Sequence, residues 1–242
     1  MTSLAIETVG LRKSYGDTVA VGGLDLQVER GELYGFLGPN GAGKTTTMRI
    51  LTTLLRPSDG DARVCGEPVS DRDAVSPHVG HLPERPPLYD ELTGREQLQF
   101  AGELRGLAAE EADRRAADRL DALGLAADTD RISTYSTGMR KKLGIAQATI
   151  HEPDVLFLDE PTNGLDPRAA RAVRDRLTSL ADGGTTVFLS THILPVVEDV
   201  ADRVGLLDGG ELIAEGPPDR VIDRAEGGDL EDAFLELTRD ER

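Results

Sequence analysis

Hydrophobic and polar residues along the first quarter of the chain predict strands, a glycine-rich loop and a helix. Apolar and polar positions alternate at 24–28, which is typical of a strand with one buried face. A continuous apolar run at 33–37 predicts a buried strand immediately before the loop. Residues 44–55 carry helical patterning. We expect this helix to stop near Pro57, because the residue before a proline disfavours helical geometry.

The rest of the chain continues the alternation of strands and helices. Residues 93–125 are rich in Ala, Leu, Arg and Glu and contain no proline, so they predict a mostly helical insert. Short apolar runs at 155–159, 185–190 and 203–207 predict buried strands, and a helix with one apolar face begins at Pro167. Strands that alternate with helices in this way indicate a parallel sheet covered by helices on both faces.

No internal repeat or long flexible linker divides the chain, so we expect one domain over residues 1–242. Leu230, Phe234 and Leu237 have helical spacing, and we expect them to pack on their own domain rather than on a partner. The predicted parts are an α/β core with a β subdomain (1–92 and 151–215), a helical insert (93–150) and a C-terminal helical segment (216–242) with a hinge at 223–229.

Acidic residues dominate the charge of the chain. The formal charge is −17 and the pI is near 4.6, which argues against nucleic-acid binding through a broad basic surface and against direct recruitment to anionic lipid. Only four of the 27 basic residues are lysines. Two explanations remain open: adaptation to a high-salt cytoplasm, in which screening removes self-repulsion, or an ordinary acidic soluble protein.

The sequence also bears on where the chain is located and on which cysteine chemistry it can carry out. No apolar stretch approaches the ~20 residues needed to cross a bilayer, and the first residues lack a signal-peptide pattern. We therefore expect a cytoplasmic chain that does not insert into a membrane. Cys65 is the only cysteine, which excludes an internal disulfide and a cysteine-based metal cage.

Residues 38–46 read GPNGAGKTT and satisfy the spacing of a phosphate-binding loop, GxxxxGK[ST]. Its glycines let backbone amides turn toward a β-phosphate, and the following helix N-terminus adds a favourable dipole. We expect Lys44 to neutralise β- and γ-phosphate charge and Thr45 to offer its hydroxyl to Mg²⁺. The sequence therefore predicts ATP and Mg²⁺ as ligands. The predicted nucleotide-binding residues of the loop are Gly38, Pro39, Asn40, Gly41, Ala42, Gly43, Lys44, Thr45 and Thr46.

Two carboxylates follow the predicted strand at 155–159. Asp159 and Glu160 are delivered to the carboxyl edge of a parallel sheet, where ligands bind in open α/β folds. Asp159 can hold Mg²⁺ through water. Glu160 is then the candidate to polarise or deprotonate the water that attacks the γ-phosphate. A solvated strand end is the ordinary interpretation of such a pair, but the phosphate-binding loop favours the catalytic one.

Three further motifs identify a family. YSTGM at 135–139 stands where ABC transporter ATPases have LSGGQ, and the segment RKKLGIAQATIHEPDVLFLDEPTNGLDP that follows resembles that family closely. LSTH at 189–192 resembles the family's switch histidine, and Tyr15 matches the aromatic residue on which adenine stacks. The resemblance extends over essentially the whole chain, so the chain is identified as similar to ABC transporter ATPase subunits.

The resemblance implies a RecA-like P-loop NTPase core of α/β class, with an antiparallel β subdomain and an inserted α-helical subdomain. It implies that His192 reaches the γ-phosphate and that two copies, identical or homologous, close head to tail around two ATP molecules. Ser136 and Gly138 of one subunit would then contact the γ-phosphate held by Lys44 of the other. Residues 163–166 match the loop that crosses this dimer seam, although Asp166 before a proline is also a good helix N-cap.

Two positions depart from the family pattern. Glu84 replaces the usual glutamine, so a neutral ligand near Mg²⁺ becomes a carboxylate that can still coordinate through oxygen but adds negative charge near the γ-phosphate. Thr137 replaces the first glycine of the signature, while Ser136 and Gly138 are kept. Both departures resemble one branch of exporters with separate membrane subunits, which includes daunorubicin-resistance and sodium-efflux ATPases.

By the resemblance, a separate integral-membrane permease converts ATP-driven closure and reopening into transport, in the direction of export. The chain is then peripheral on the inner face of the cell membrane. We expect the permease to dock near Glu84 and the insert, where 86–89 form an apolar patch. Two alternatives stay open at this point. One is a soluble ABC ATPase that does not serve transport, and the other is a regulatory nucleotide-binding module with little turnover.

Overall fold

The computed structural model describes residues 3–125, 130–223 and 228–238. Parts of the predicted insert (126–129), hinge (224–227) and C-terminal segment (239–242) lie outside the described residues. The strands are β1 (Leu4–Tyr15), β2 (Thr18–Glu29), β3 (Leu33–Leu37), β4 (Asp59–Val64), β5 (Glu67–Pro68), β6 (Val79–Leu82), β7 (Val155–Asp159), β8 (Thr186–Thr191), β9 (Arg203–Asp208) and β10 (Glu211–Gly216). The α-helices are α1 (Lys44–Leu51), α2 (Arg72–Val75), α3 (Gly94–Leu104), α4 (Ala109–Ala122), α5 (Thr137–Thr149), α6 (Pro167–Asp182), α7 (Leu194–Glu198), α8 (Pro218–Ile222) and α9 (Leu230–Leu237).

An antiparallel sheet forms one layer, with strand order β2-β1-β4-β5. Leu24, Leu26 and Val28 of β2 are buried and the residues between them are exposed, which confirms the alternation seen in the sequence. Their side chains join Phe36 and Phe188 of the second sheet in one hydrophobic cluster. The predicted antiparallel subdomain is therefore present and packs directly on the core.

The second sheet has six strands in the order β10-β9-β3-β8-β7-β6. Strands β9, β3, β8, β7 and β6 are mutually parallel, as predicted. Strand β10 runs antiparallel to β9, which the sequence interpretation did not anticipate. The reason is local: only Gly209 and Gly210 join the two strands, and a two-residue connection reaches an antiparallel neighbour alone.

Helix α1 is shorter than the 44–55 segment predicted for it. It ends at Leu51, and the chain then enters the left-handed region at Thr53, where φ is 61°. The amides of Leu54 and Leu55 both donate to the Arg49 carbonyl oxygen and close a compact turn. The helix therefore stops before the restriction imposed by Pro57 applies.

The insert has a hydrophobic cluster of its own, formed by α3, α4, α5 and the segment before α5. Helix α3 begins with a capping box, because Thr93 and Glu96 bond each other's backbone amides. Two glycines let α5 approach the core closely. A Cβ atom on Gly80 of β6 would collide with the Ala148 carbonyl oxygen, and one on Gly144 would lie 2.6 Å from the nearest Leu82 carbon.

Helix α9 packs on its own domain, as predicted. Leu230 is fully buried, and Phe234 and Leu237 are partly buried against the core cluster that contains Val197 of α7. Among the described residues, none of the helices combines the length and the apolar character that crossing a bilayer requires.

Candidate active site

A cleft of about 420 Å³ opens at the carboxyl ends of β3, β7 and β8. This is the sheet edge at which open α/β folds bind ligands. The cleft brings the phosphate-binding loop together with most of the side chains predicted from distant parts of the sequence. Its lining residues are Ala20, Pro39, Asn40, Gly41, Gly43, Lys44, Thr45, Thr46, Glu84, Asp159, Glu160, Asn163 and His192.

The phosphate-binding loop connects β3 to α1 and places the first amides of α1 at the cleft. Gly43 adopts a left-handed conformation with φ 104°, which favours glycine. A side chain there would also collide with the Ala20 carbonyl oxygen of β2. Glycine is thus required both by the turn and by the neighbouring sheet, and the exposed amides at the helix start form an anion-binding terminus.

Lys44 is the first residue of α1, and its ammonium lies under the loop. Nζ donates to the carbonyl oxygens of Gly38, at 2.5 Å, and Pro39, at 3.0 Å. Burial lowers the pKa of Lys44, and the nearby carboxylates of Glu160 and Asp159 oppose that shift. The side chain is only 6% exposed, so its charge acts in a partly desolvated site, where it attracts anions more strongly than in water.

Asp159 ends β7 and is held by hydroxyl groups on both sides. Thr45 Oγ1 donates to Asp159 Oδ2 at 3.1 Å, and Ser190 Oγ donates to Oδ1 at 3.1 Å. The parallel register of β7 and β8, which pairs Asp159 with Ser190, sets up the second contact. The structure therefore brings the Thr45 hydroxyl and the Asp159 carboxylate together beside the loop.

Glu160 follows directly and occupies the left-handed region with φ 48°, which is unusual for a residue with a Cβ atom. Its carboxylate accepts from Thr191 Oγ1 at 2.7 Å and from the His192 amide at 3.0 Å. His192 Nδ1 lies 2.6 Å from Glu160 Oε1. Since the Glu160 side chain faces the cleft with its position fixed by three contacts, it can receive or orient a group at a defined point.

Glu84 lies in the loop after β6 and lines the same cleft. Its side chain is exposed, and Asn163 Nδ2 donates to its Oε1 at 3.4 Å. The substitution of a carboxylate for the family's amide therefore places a third acidic group at the cleft, beside Asp159 and Glu160.

Five predicted residues lie outside the cleft lining, namely Tyr15, Gly38, Ala42, Ser136 and Gly138. Gly38 and Ala42 belong to the loop but pack against the core. A Cβ atom on Gly38 would collide with the Leu207 carbonyl oxygen, and Ala42 is buried. Tyr15 is exposed at the end of β1, with Lys13 Nζ 5.3 Å from its ring centroid. Ser136 caps α5, and its hydroxyl accepts from the Met139 amide at 3.3 Å.

Sequence reasoning did not assign Ser190, Thr191 and Lys141 to the site. Ser190 and Thr191 belong to the LSTH segment, which was interpreted only for its histidine. Polar residues that end a buried apolar strand beside the DE pair are the signal for them. Lys141 Nζ donates to the carbonyl oxygens of Glu84 and Glu160, and nothing in the local sequence indicates that contact.

The turn between β9 and β10 joins the loop to the antiparallel sheet. The Gly210 amide donates to the Ala42 carbonyl oxygen at 3.1 Å, and the Gly22 amide donates to the Gly210 carbonyl oxygen at 2.8 Å. Because Ala20 of β2 lines the cleft, the antiparallel sheet forms one wall of the site.

The model of the ABC transporter family matches residues 21–163, which include the loop, the signature segment and the carboxylate pair. The chain belongs to the ABC transporter family. A relative from Streptomyces coeruleorubidus, daunorubicin resistance ATP-binding protein DrrA3, is 47% identical over 97% of this chain and 75% of its own length. The daunorubicin/doxorubicin resistance ATP-binding protein DrrA of Streptomyces peucetius is 49% identical over 88% of this chain.

These relatives extend beyond the chain, which spans 65% of the Streptomyces peucetius protein. A solved structure described as the ATP-binding subunit of an ABC transporter superposes with a TM-score of 0.88, at 31% identity, over 97% of this chain and 100% of its own. The exporter-type branch of ABC ATPases, expected from Glu84 and the YSTGM segment, is thereby confirmed, as is the α/β P-loop NTPase fold.

Proposed function

We propose that this chain is the Mg²⁺-dependent ATP-hydrolysing subunit of an exporter whose membrane-spanning part is a separate polypeptide. The observation that carries the proposal is the convergence of Lys44, Thr45, Asp159 and Glu160 in one cleft. These four side chains supply a phosphate-binding cation, two oxygen ligands and a general base. The names of the daunorubicin-resistance relatives support export as the direction.

The donor set fits Mg²⁺. Thr45 Oγ1 and Asp159 Oδ2 are hard oxygen donors 3.1 Å apart, and Glu84 adds a carboxylate that lines the same cleft. Mg²⁺ usually keeps several waters and binds through one or two protein oxygens together with substrate phosphates. When bound here it would neutralise charge that develops on the phosphate oxygens. We assign Thr45 and Asp159 as its principal ligands and Glu84 as a third.

Glu160 is the proposed general base. Its Oε1 and Oε2 are already bonded to His192 and Thr191, so the carboxylate is fixed before substrate arrives and can accept a proton from a water at the γ-phosphate. Lys44 holds β- and γ-phosphate oxygens. His192 is exposed beside Glu160, where its ring can donate to the γ-phosphate.

We further propose that a second copy or a homologue completes the site. Ser136 caps α5 and Gly138 lies in its first turn; neither residue lines the chain's own cleft, and Ser136 is exposed. A serine hydroxyl and free amides at a helix start are suited to bind an anion supplied by another molecule. Head-to-tail pairing would place Ser136 and Gly138 of one subunit on the γ-phosphate bound at Lys44 of the other. Tyr15 would stack on the adenine.

Attachment to the membrane subunit is proposed at an apolar surface on the insert. Tyr89 and Phe100 contact each other edge to face with their ring centroids 5.7 Å apart, and they are 54% and 41% exposed. Leu104 on the same helix as Phe100 is 71% exposed. Within the patch predicted at 86–89, Pro87 and Tyr89 are exposed while Pro86 and Leu88 are half-buried, and the contact of Tyr89 with Phe100 extends this surface onto α3.

Steady-state hydrolysis by wild type and Glu160→Gln tests the catalytic proposal. The variant keeps the shape of the side chain but cannot accept a proton, so we expect kcat to fall by about 10²–10⁴-fold. ATP binding should persist, and the variant should form an ATP-dependent dimer visible by analytical ultracentrifugation. EDTA should abolish wild-type turnover. Absence of turnover in the wild type would instead support the regulatory module.

The transport proposal has its own test, because a soluble ABC ATPase would share every result above. Co-expression with a membrane protein encoded beside this chain should allow the two to be purified together. Leu104→Asp should abolish that association and leave the ATPase activity of the isolated chain unchanged, since Leu104 lies outside the cleft. If the chain neither copurifies with nor is stimulated by such a membrane protein, the transport assignment is wrong.

A further inference from the structure

Lys141 lies on the helix that begins at Ser136, yet its ammonium reaches the edge of the core sheet. The residue is 4% exposed, and Nζ donates to the Glu84 carbonyl oxygen at 2.6 Å and to the Glu160 carbonyl oxygen at 2.8 Å. One buried cation therefore joins three segments that are far apart in the sequence: α5, which we call the signature helix, the loop after β6 and the end of β7.

The two acceptors are the backbone groups of the residues whose side chains line the cleft. Glu160 occupies a left-handed backbone conformation, which requires support from its surroundings. Its carbonyl oxygen also accepts from the Asn163 amide at 3.3 Å, at the start of the 163–166 loop. Lys141 thus supports the backbone from which the proposed base and that loop both project.

Packing around the same helix makes this contact short. Gly144, three residues after Lys141, faces Leu82 and Pro86, and a Cβ there would lie 2.6 Å and 2.9 Å from their nearest carbons. The helix consequently lies directly on the chain that enters the Glu84 loop. A long side chain at 141 can span from the helix to both carbonyl oxygens only because of this close approach.

Charge gives a reason for lysine at this position. Burial lowers the pKa of Lys141, while the carboxylates of Glu84, Asp159 and Glu160 counteract that shift. The attraction between these carboxylates and the Lys141 ammonium offsets part of the cost of burying that cation beside the backbone of Glu84 and Glu160.

We propose that Lys141 is a positioning residue that fixes Glu160 and the Glu84 loop relative to the helix carrying Ser136. Lys141 does not line the cleft, and its two hydrogen bonds described above go to backbone carbonyl oxygens outside the phosphate-binding loop. Through Lys141, a shift of the signature helix is transmitted to the backbone of the base. The inference rests on the proposed catalytic role of Glu160.

Three variants test the proposal. Lys141→Met keeps most of the side-chain volume and removes both the charge and the donors. Lys141→Gln keeps amide donors on a shorter side chain. Lys142→Met is the matched control, because Lys142 is the neighbouring residue on the same helix and donates to the Leu123 carbonyl oxygen within the insert.

In ATPase assays we expect Lys141→Met to lower kcat by at least about tenfold, since the carbonyl groups of Glu84 and Glu160 lose a charged donor. Affinity for ATP, measured by equilibrium binding, should stay within about threefold because Lys44 and its loop are untouched. Lys141→Gln should retain more of kcat than the Met variant, and Lys142→Met should match the wild type.

Equal kcat in Lys141→Met and Lys142→Met, or a parallel loss of kcat and ATP affinity, would overturn the proposal. Equal kcat in the Gln and Met variants would contradict a role through donated hydrogen bonds.

Amide hydrogen exchange gives a readout that does not depend on turnover. In Lys141→Met the peptide covering 160–166 should exchange at least about fivefold faster than in the wild type and in Lys142→Met. Unchanged exchange there would refute the positioning role. If the wild type fails to hydrolyse ATP, the proposed function is wrong, and the exchange result alone then decides whether Lys141 holds this backbone in place.

Discussion

Replacing Thr191 with valine separates the orientation of Glu160 from the stability of strand β8. The side chain of Thr191 is fully buried, its hydroxyl donates to Glu160 Oε2 at 2.7 Å, and its oxygen accepts from the Ile193 amide at 3.1 Å. Valine has the same branched shape, so Thr191→Val removes the hydroxyl without opening a cavity.

The expected cost follows from those two contacts. A hydrogen bond to a charged group contributes about 1.5–3 kcal/mol, so the free energy of unfolding should fall by roughly that amount. For a chain of this size each kcal/mol corresponds to a Tm decrease of about 2–4 °C. Glu160 keeps its contacts with His192 but loses the one on its other oxygen. We therefore expect kcat to decrease by roughly tenfold, which corresponds to ~1.4 kcal/mol of transition-state stabilisation.

Thr186→Val is the matched control. Thr186 starts the same strand, is 1% exposed and accepts from the Gly31 amide at 3.0 Å, at the edge of the sheet remote from the cleft. Urea unfolding should show a loss of stability in both variants, whereas steady-state ATPase assays should show a loss of kcat in Thr191→Val alone. Wild-type kcat in Thr191→Val, or an equal decrease in both variants, would refute the reasoning.

Three further predictions concern stability. Burial lowers the pKa of His151 from 6.5 to about 4, so between these pH values the unfolded state binds a proton that the folded state does not. The free energy of unfolding should therefore fall as the pH decreases from 6.5 to about 4. His151→Gln should flatten this pH dependence when it is measured by urea unfolding. Asp166→Ala should cost about 1 kcal/mol in the same assay, because Asp166 Oδ1 accepts from the Ala169 amide at the start of α6, and Asp166→Asn should cost less. If the charge of −17 reflects adaptation to salt, Tm should rise between ~0.1 M and ~2 M KCl, and an unchanged Tm would favour the ordinary acidic protein.

The phosphate-binding loop and its surroundings could be predicted because their determinants are local. The spacing of Gly43, Lys44 and Thr45 depends on a single turn, and the apolar runs on either side define its strand and helix. The N-cap role of Asp166 was predicted for the same reason and is present. The end of α1 was not, since a backbone turn at Thr53 stops the helix before Pro57 has any effect.

Contacts that depend on strand register could not be predicted from the sequence. Ser190 supports Asp159 because parallel pairing places those two residues side by side, and the order of strands in the sheet decides that pairing. Lys141 would be placed on the surface by its chemistry alone. It is buried because Gly144 lets its helix lie against the core. The family resemblance located Glu84 but could not indicate its contact with Asn163.

The contact between Gly43 and Ala20 links two parts of the molecule that the sequence separates. The phosphate-binding loop rests on the carbonyl of a strand in the antiparallel sheet, and the turn at Gly210 bonds to both. A ligand that binds one position of the loop more tightly than another therefore also favours the position of the antiparallel sheet that accompanies it. The coupling free energy is the same whether the loop or the sheet is the part that is perturbed. A substitution in β2 that displaces the Ala20 carbonyl should therefore change the affinity for nucleotide, although the substituted residue touches no phosphate.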